Sequence, residues 1–283
     1  MSARSCLSVP GSSPRMIAKA LASSADEVVV DLEDAVALDA KDSARGEVLA
    51  ALADAPRGRR VAVRVNAVGT PWCHRDLIAL GEADRRPDSI VIPKVDGPDD
   101  IAFVVRLLHG VTGTGIGLQA LIESAAGLRA VEAIAAAPGV EALILGYADL
   151  AADLGRPVAT APWDAARERL VWAARAARVR AIDGPHLGTA TDDAFTAGLT
   201  AAVASGFDAK WAIHPAQLDA INGAFTPDDA QVDWAHRVLD TLARAAADGD
   251  GAVALDGAML DEAVAVSARR VLARAGSPRG SVR

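Results

Sequence analysis

The 283-residue chain carries 29 basic against 37 acidic side chains, a formal net charge of -8, which offers no electrostatic footprint for nucleic acid and obliges any anionic ligand to find a local positive site. Hydrophobic residues make up 51% and aromatics 4%, so the core is expected to be built from Ala, Val, Leu and Ile. No run reaches the ~18 apolar residues of a membrane span, and no basic segment followed by an apolar stretch opens the chain; a cytoplasmic protein that binds neither membrane nor nucleic acid is expected. Cys6 and Cys73 stand apart from any CxxC or histidine partner, which argues against a disulfide framework or a zinc site and for two buried thiols.

In chain order, eight short β-branched runs alternate with segments of helical period. The runs are 5–9, 27–30, 60–65, 89–92, 115–122, 140–145, 180–182 and 209–213. At their ends stand Ser12; Asp31 with Glu33 and Asp34; Arg64 with Asn66; Lys94; Glu123; Asp149; Asp183; and His214. Helices are predicted over 14–25, 39–53, 71–82, 98–109, 124–137, 163–178, 191–205 and 215–223, the fifth closed by Pro138-Gly139. In the helix over 163–178, Arg167, Arg169, Arg175 and Arg178 are expected on the solvated face.

This alternation predicts an α/β fold, a (β/α)8 TIM barrel over residues 1–226 with its chemistry at the strands' carboxyl ends, where the charges fall. Residues 227–283 are expected to form a helical extension with helices over 234–247 and about 261–275, a turn at 248–251, and a disordered tail from 277.

Glu123 and Asp149 close the fifth and sixth runs, which are neighbours in a parallel barrel. Two carboxylates there outline a magnesium site, since magnesium is held by one or two carboxylates while water and substrate oxygens complete the octahedron. Each could instead cap the helix that follows. Arg64 is placed to bind a carboxylate or oxo acid bidentately, or to pair with Glu33 or Asp34. Lys94 and His214 stand at the same rim, with supporting and catalytic roles both open. A Schiff base on Lys94 is disfavoured, because the surrounding carboxylates keep its amine protonated.

The motifs Leu-Ser-Val-Pro-Gly-Ser-Ser-Pro-Arg-Met-Ile-Ala-Lys, Val-Asp-Leu-Glu-Asp-Ala-Val, Val-Arg-Val-Asn, Ile-Pro-Lys-Val, Leu-Ile-Glu-Ser, Gly-Tyr-Ala-Asp-Leu, Ile-His-Pro and Asp-Gly-Ala-Met-Leu-Asp occur in that order. In this the chain resembles the citrate lyase β-subunit-like CoA-ester lyases of the HpcH/HpaI aldolase superfamily, over nearly its whole length. The resemblance implies a magnesium-dependent barrel, a homotrimer or hexamer, that cleaves or forms 3-hydroxyacyl-CoA thioesters of malyl or citramalyl type into an acyl-CoA and a 2-oxo acid. It implies that Glu123 and Asp149 ligand the metal and that Arg64 holds and polarises the oxo acid. Arg15 and Lys19 correspond to contacts with the CoA phosphates. Glu33, Asp34 and Lys94 would support these groups, and Asp261 corresponds to an acid/base aspartate that reaches a neighbouring subunit's barrel.

One position departs from the pattern. Ala148 stands where the commonest form of the family has glutamate before the metal-binding aspartate, a feature shared with related aldolases that act on pyruvate-type substrates without CoA. A pyruvate-class aldolase and a non-catalytic subunit of a citrate-lyase-like complex are therefore the competing readings.

Overall fold

The computed structural model describes residues 3–112, 116–248 and 252–276. The tail from 277 and the 249–251 part of the expected turn lie outside the described residues. Eight strands form a closed parallel barrel in chain order: β1 (Ser5–Pro10), β2 (Glu27–Asp31), β3 (Arg60–Arg64), β4 (Ser89–Ile92), β5 (Gly117–Ile122), β6 (Val140–Leu145), β7 (Arg180–Asp183) and β8 (Ala209–Ala212). β8 closes the ring on β1, with Cys6 opposite Trp211. The expected TIM barrel is therefore present.

Alternation along each strand sends one set of side chains inward. Val29, Ala62, Val91, Leu121, Ile144 and Ile182 meet there with Cys6 and Trp211. Both cysteines are free and buried. At the strands' amino ends the interior turns polar. Glu27 accepts from Gln119 at 2.7 Å and lies 3.2 Å and 3.3 Å from Arg60 and Arg180. Burial alone would raise the Glu27 carboxyl, but the two guanidiniums hold it below the usual range, so this end is closed by a buried ionic cluster. The open end is the other one.

The helices are α1 (Pro14–Leu21), α2 (Lys41–Asp54), α3 (Cys73–Glu82), α4 (Pro98–Thr112), α5 (Ala125–Arg129), α6 (Val131–Ala135), α7 (Tyr147–Asp153), α8 (Asp164–Ala177), α9 (Asp193–Ala204) and α10 (Leu218–Ala224). Two differ from expectation. The helix over 124–137 is broken at Ala130, which leaves helical torsions (φ -96°, ψ 6°) between α5 and α6. α7 gives no sequence signal, because its seven residues are too few to show a period.

The solvated-face reading of the arginines on α8 also needs correction. Arg167 is turned inward, with its Nε donating to the Tyr147 hydroxyl at 2.8 Å and its side chain 12% exposed. Arg175 holds Asp208 at 2.8 Å and the Gly206 carbonyl at 2.5 Å. A long cationic side chain at a helix edge finds acceptors that periodicity does not reveal.

The chain divides into two compact units, 3–221 and 222–276, with the division inside α10. The second contains α11 (Asp229–Asp248), a hairpin of β9 (Val253–Leu255) and β10 (Ala258–Leu260), and α12 (Glu262–Ala275). Ala235, Val238, Leu260 and Ala268 form its core.

Candidate active site

Asp31 ends β2 and Arg64 ends β3, and the barrel register sets them opposite each other. The guanidinium grips the carboxylate from two sides, Nε to Oδ1 at 2.7 Å and Nη2 to Oδ2 at 2.6 Å. Nη1 lies 3.0 Å from Glu33 Oε2. The contact with Glu33 is an ion pair by distance, and Arg64 itself lines the cavity at this rim. Burial would lower the pKa of Arg64, but the hydrogen bond and charge of Asp31, with Glu33 and Glu123 beyond, raise it above its ordinary value. The guanidinium also stands 5.8 Å from the centre of the Trp211 ring. Asp31 itself is spent, since it additionally accepts from the backbone of Glu33 at 2.8 Å and Ala35 at 3.0 Å.

Lys94 joins the second half of the site to the first. Its Nζ meets Glu33 at 2.5 Å, Asp34 at 3.3 Å and Asp149 at 3.9 Å. Burial works against its charge, but Glu33, Asp34 and Glu123 outweigh it and raise the amine above its ordinary range. It is held protonated, as expected. Its backbone adopts φ +52°, unusual for a residue with a side chain, and that turn aims its N–H at Glu123 Oε1, 2.8 Å away.

Glu123 follows β5 and does not cap a helix; Ser124 does so, accepting from Gly127 N at 2.9 Å. Glu123 is 4% exposed. Burial, then the charges of Glu33 and Asp149, push its carboxyl up to about 8 against the pull of Lys94 N–H and Arg64. Asp149, in the first turn of α7, is 41% exposed at its side chain. Asp31, Glu33, Asp34, Glu123 and Asp149 thus share one rim with the two cations Arg64 and Lys94. Excess negative charge with a carboxyl driven toward protonation is an environment that a divalent cation relieves, so these residues fit magnesium. Among the described residues no cluster of three or more His, Cys, Asp or Glu side chains is arranged to hold an ion; a pair completed by water and substrate oxygens is the form available.

The groups surround a cavity of about 400 Å3 at the carboxyl face, lined by Asp31, Arg64, Glu123, Ala148, Asp149 and Trp211 among others. Arg15 and Lys19, four residues apart on α1, are exposed, and Met16 between them lines the cavity. His214 is exposed and accepts from Ala216 N at 3.2 Å, capping the short turn Pro215–Gln217. Asp261, in the second unit, caps α12 by accepting from Val264 N at 3.1 Å.

Three supporting residues escaped the sequence. Lys41 is buried and donates to the carbonyls of Leu32 and Glu33 at 2.8 Å and 2.6 Å, fixing the turn that presents Glu33. Asp76, wholly buried, receives Asn66 N at 3.0 Å and Arg45 Nε at 2.8 Å, bracing the segment after Arg64. Gly146 lies against Glu123: a β-carbon there would stand 2.6 Å from Glu123 Cβ. A glycine directly after an apolar run was the one available sign.

The HpcH/HpaI aldolase/citrate lyase sequence profile matches residues 4–215. The L-malyl-CoA/beta-methylmalyl-CoA lyase of Rhodobacter capsulatus is 35% identical over 279 residues, covering 89% of this chain and 88% of that protein. The (3S)-malyl-CoA thioesterase of Cereibacter sphaeroides is 36% identical over 276 residues, covering 96% and 94%. Among solved structures, protein CitE from Mycobacterium tuberculosis in complex with magnesium, acetoacetate and coenzyme A superposes with a TM-score of 0.79 at 31% identity, covering 98% of this chain and 99% of that one.

Proposed function

Because this chain belongs to the HpcH/HpaI aldolase/citrate lyase family, we propose that it is a magnesium-dependent carbon-carbon lyase that cleaves or forms a 3-hydroxyacyl-CoA thioester of malyl or citramalyl type, with an acyl-CoA and a 2-oxo acid as the other side of the reaction. The observation that carries this reading is the Glu123 and Asp149 pair beside Arg64, in one cavity at the barrel's carboxyl face.

In cleavage the 3-hydroxyl loses its proton, the adjoining carbon-carbon bond breaks, and its electron pair passes to the thioester α-carbon, which then takes a proton. A divalent cation held by Glu123 and Asp149 would supply positive charge to the 2-oxygen and carboxylate of the oxo acid. Arg64, which lines the same cavity, would bind the same oxygens, and its ion pairs with Asp31 and Glu33 hold it in place without reorganisation. Lys94 keeps Glu33 and Asp34 neutralised and positions Glu123 through its backbone.

Asp261 from a neighbouring subunit is the proposed group that exchanges the α-carbon proton, and Arg15 with Lys19 the proposed contacts for the CoA phosphates. The same reading assigns a homotrimer or hexamer acting in the cytoplasm. Among the described residues no helix is long and apolar enough to cross a membrane. Ala148 on the cavity wall favours, as a second reading, an aldolase for pyruvate-type substrates without CoA.

The test is a magnesium-dependent assay of the purified protein against malyl-, citramalyl- and 3-hydroxy-3-methylglutaryl-CoA, following acyl-CoA and oxo-acid release together. Paired release abolished by chelator is expected. Free CoA without an oxo acid would replace the lyase by a thioesterase, and cleavage of CoA-free hydroxy-oxo acids alone would favour the second reading.

A further inference from the structure

A second cavity, of about 260 Å3, adjoins the first and shares Tyr147, Pro185 and Leu187 with it. Its volume falls below the roughly 300–1,000 Å3 usual for a self-standing ligand pocket, which suits it to a substituent rather than a separate molecule. Its walls are preformed. Trp163 meets Tyr147 edge to face with centroids 5.1 Å apart, and His186 meets Phe195 in the same way at 5.8 Å. Tyr147, which lines both cavities, is anchored by its hydroxyl, which donates to buried Asp183 and accepts from Arg167; Lys210 holds the other oxygen of Asp183.

Gly198 of α9 also lines this cavity. A β-carbon there would meet nothing within 4 Å, as at Gly46 in α2, so a larger side chain at this position projects into open space rather than into packed neighbours.

We infer that this side cavity receives the substituent on the 2-oxo-acid half of the substrate, and that the enzyme accepts 2-oxo acids with branched or aromatic side chains. The inference rests on the lyase reading above. Tyr147 stands two residues before Asp149 and opens α7, so a substituent on a chain held at Glu123, Asp149 and Arg64 has the Tyr147 and Leu187 edge as its near boundary. Beyond that edge the lining includes Trp163 and Phe195 beside Arg167, His186 and Lys210, and the two aromatic rings suit an apolar or planar group.

The experiment measures condensation of acetyl-CoA with glyoxylate, pyruvate, 2-oxoisovalerate and phenylpyruvate in the magnesium-loaded protein, with binding of each acid followed separately by ligand-observed NMR. Gly198→Leu and, one helical turn earlier, Ala194→Leu fill the cavity from the helix side. Expected is turnover and binding of the larger acids by the unaltered protein, with a loss of about ten-fold or more for those acids in the filled variants while glyoxylate turnover stays unchanged. Turnover of glyoxylate or pyruvate alone would overturn the inference and leave the lyase reading standing, as would an equal loss for all acids in correctly folded variants. No turnover of any acid, with no CoA-ester cleavage, would overturn the lyase reading and the inference with it.

Discussion

Replacing Gly146 by alanine tests whether the site depends on the separation of β5 and β6. Gly146 has φ -96° and ψ 96°, torsions open to any residue, so the substitution carries no backbone penalty and its effect is purely steric. The new β-carbon would stand 2.6 Å from Glu123 Cβ and 2.7 Å from Glu123 Oε2, where ordinary contact begins at 3.4 Å. The carboxylate oxygen can rotate away, but the Cβ is fixed to its strand, so 3.4 less 2.6, about 0.8 Å, must come from moving backbone. Gly146 N is bonded to Ile122 O at 2.9 Å, so retreat strains the ladder joining the two strands. Overpacking of this kind costs roughly 1–3 kcal/mol of stability. Magnesium demands near-ideal octahedral oxygens, and displacing a ligand's support typically weakens metal binding by about 10–100-fold. Calorimetric titration with magnesium, beside thermal unfolding of the metal-free protein, reads both effects. Gly97→Ala, where a β-carbon meets nothing within 4 Å, is the control. Unchanged Tm in Gly146→Ala would refute the steric argument, and a lowered Tm with unchanged magnesium affinity would refute the assignment of Glu123.

The Glu123 carboxyl, pushed up to about 8, retains its proton in the folded, metal-free protein over a range where the unfolded chain has lost it. Stability from this group therefore falls as pH rises from the ordinary glutamate value through about 8, and a Tm profile of metal-free protein should show a decline that Glu123→Gln removes. Magnesium must displace the same proton, so its affinity should rise with pH and level off above about 8, with proton release detectable by titration in buffers of different ionisation enthalpy; pH-independent affinity would contradict the ligand role. Because Lys94 is held protonated by Glu33 and Asp34, borohydride in the presence of pyruvate should trap no adduct on the protein, and a mass increase at Lys94 would reverse that conclusion. Asp261→Asn, which keeps a side-chain acceptor for Val264 N, should abolish turnover with metal affinity intact. Mixed with Arg64→Ala protein, it should recover partial activity if subunits share sites, whereas no recovery after exchange of subunits would count against action in trans.

The eight-fold alternation was legible in the sequence because a strand's and a helix's patterns are local: β-branched runs and apolar periods report which residues face the core whatever the rest of the chain does. The same logic located Arg64, Glu123 and Asp149, since in a parallel barrel a polar residue just beyond an apolar run falls at the open end. How those groups are divided between holding one another and meeting a ligand was decided by the tertiary structure. Asp31 is consumed by Arg64 because β2 and β3 pair with the two in register across 33 positions of chain. Lys94 contributes through its backbone N–H as well as its amine because of a left-handed turn. Arg167, read as a solvated charge, is drawn in by the Tyr147 hydroxyl, and Gly146 matters because Glu123 lies against it. Such contacts depend on strand register, side-chain direction and distances of an ångström or less between distant segments, and no local pattern of residue types carries that information.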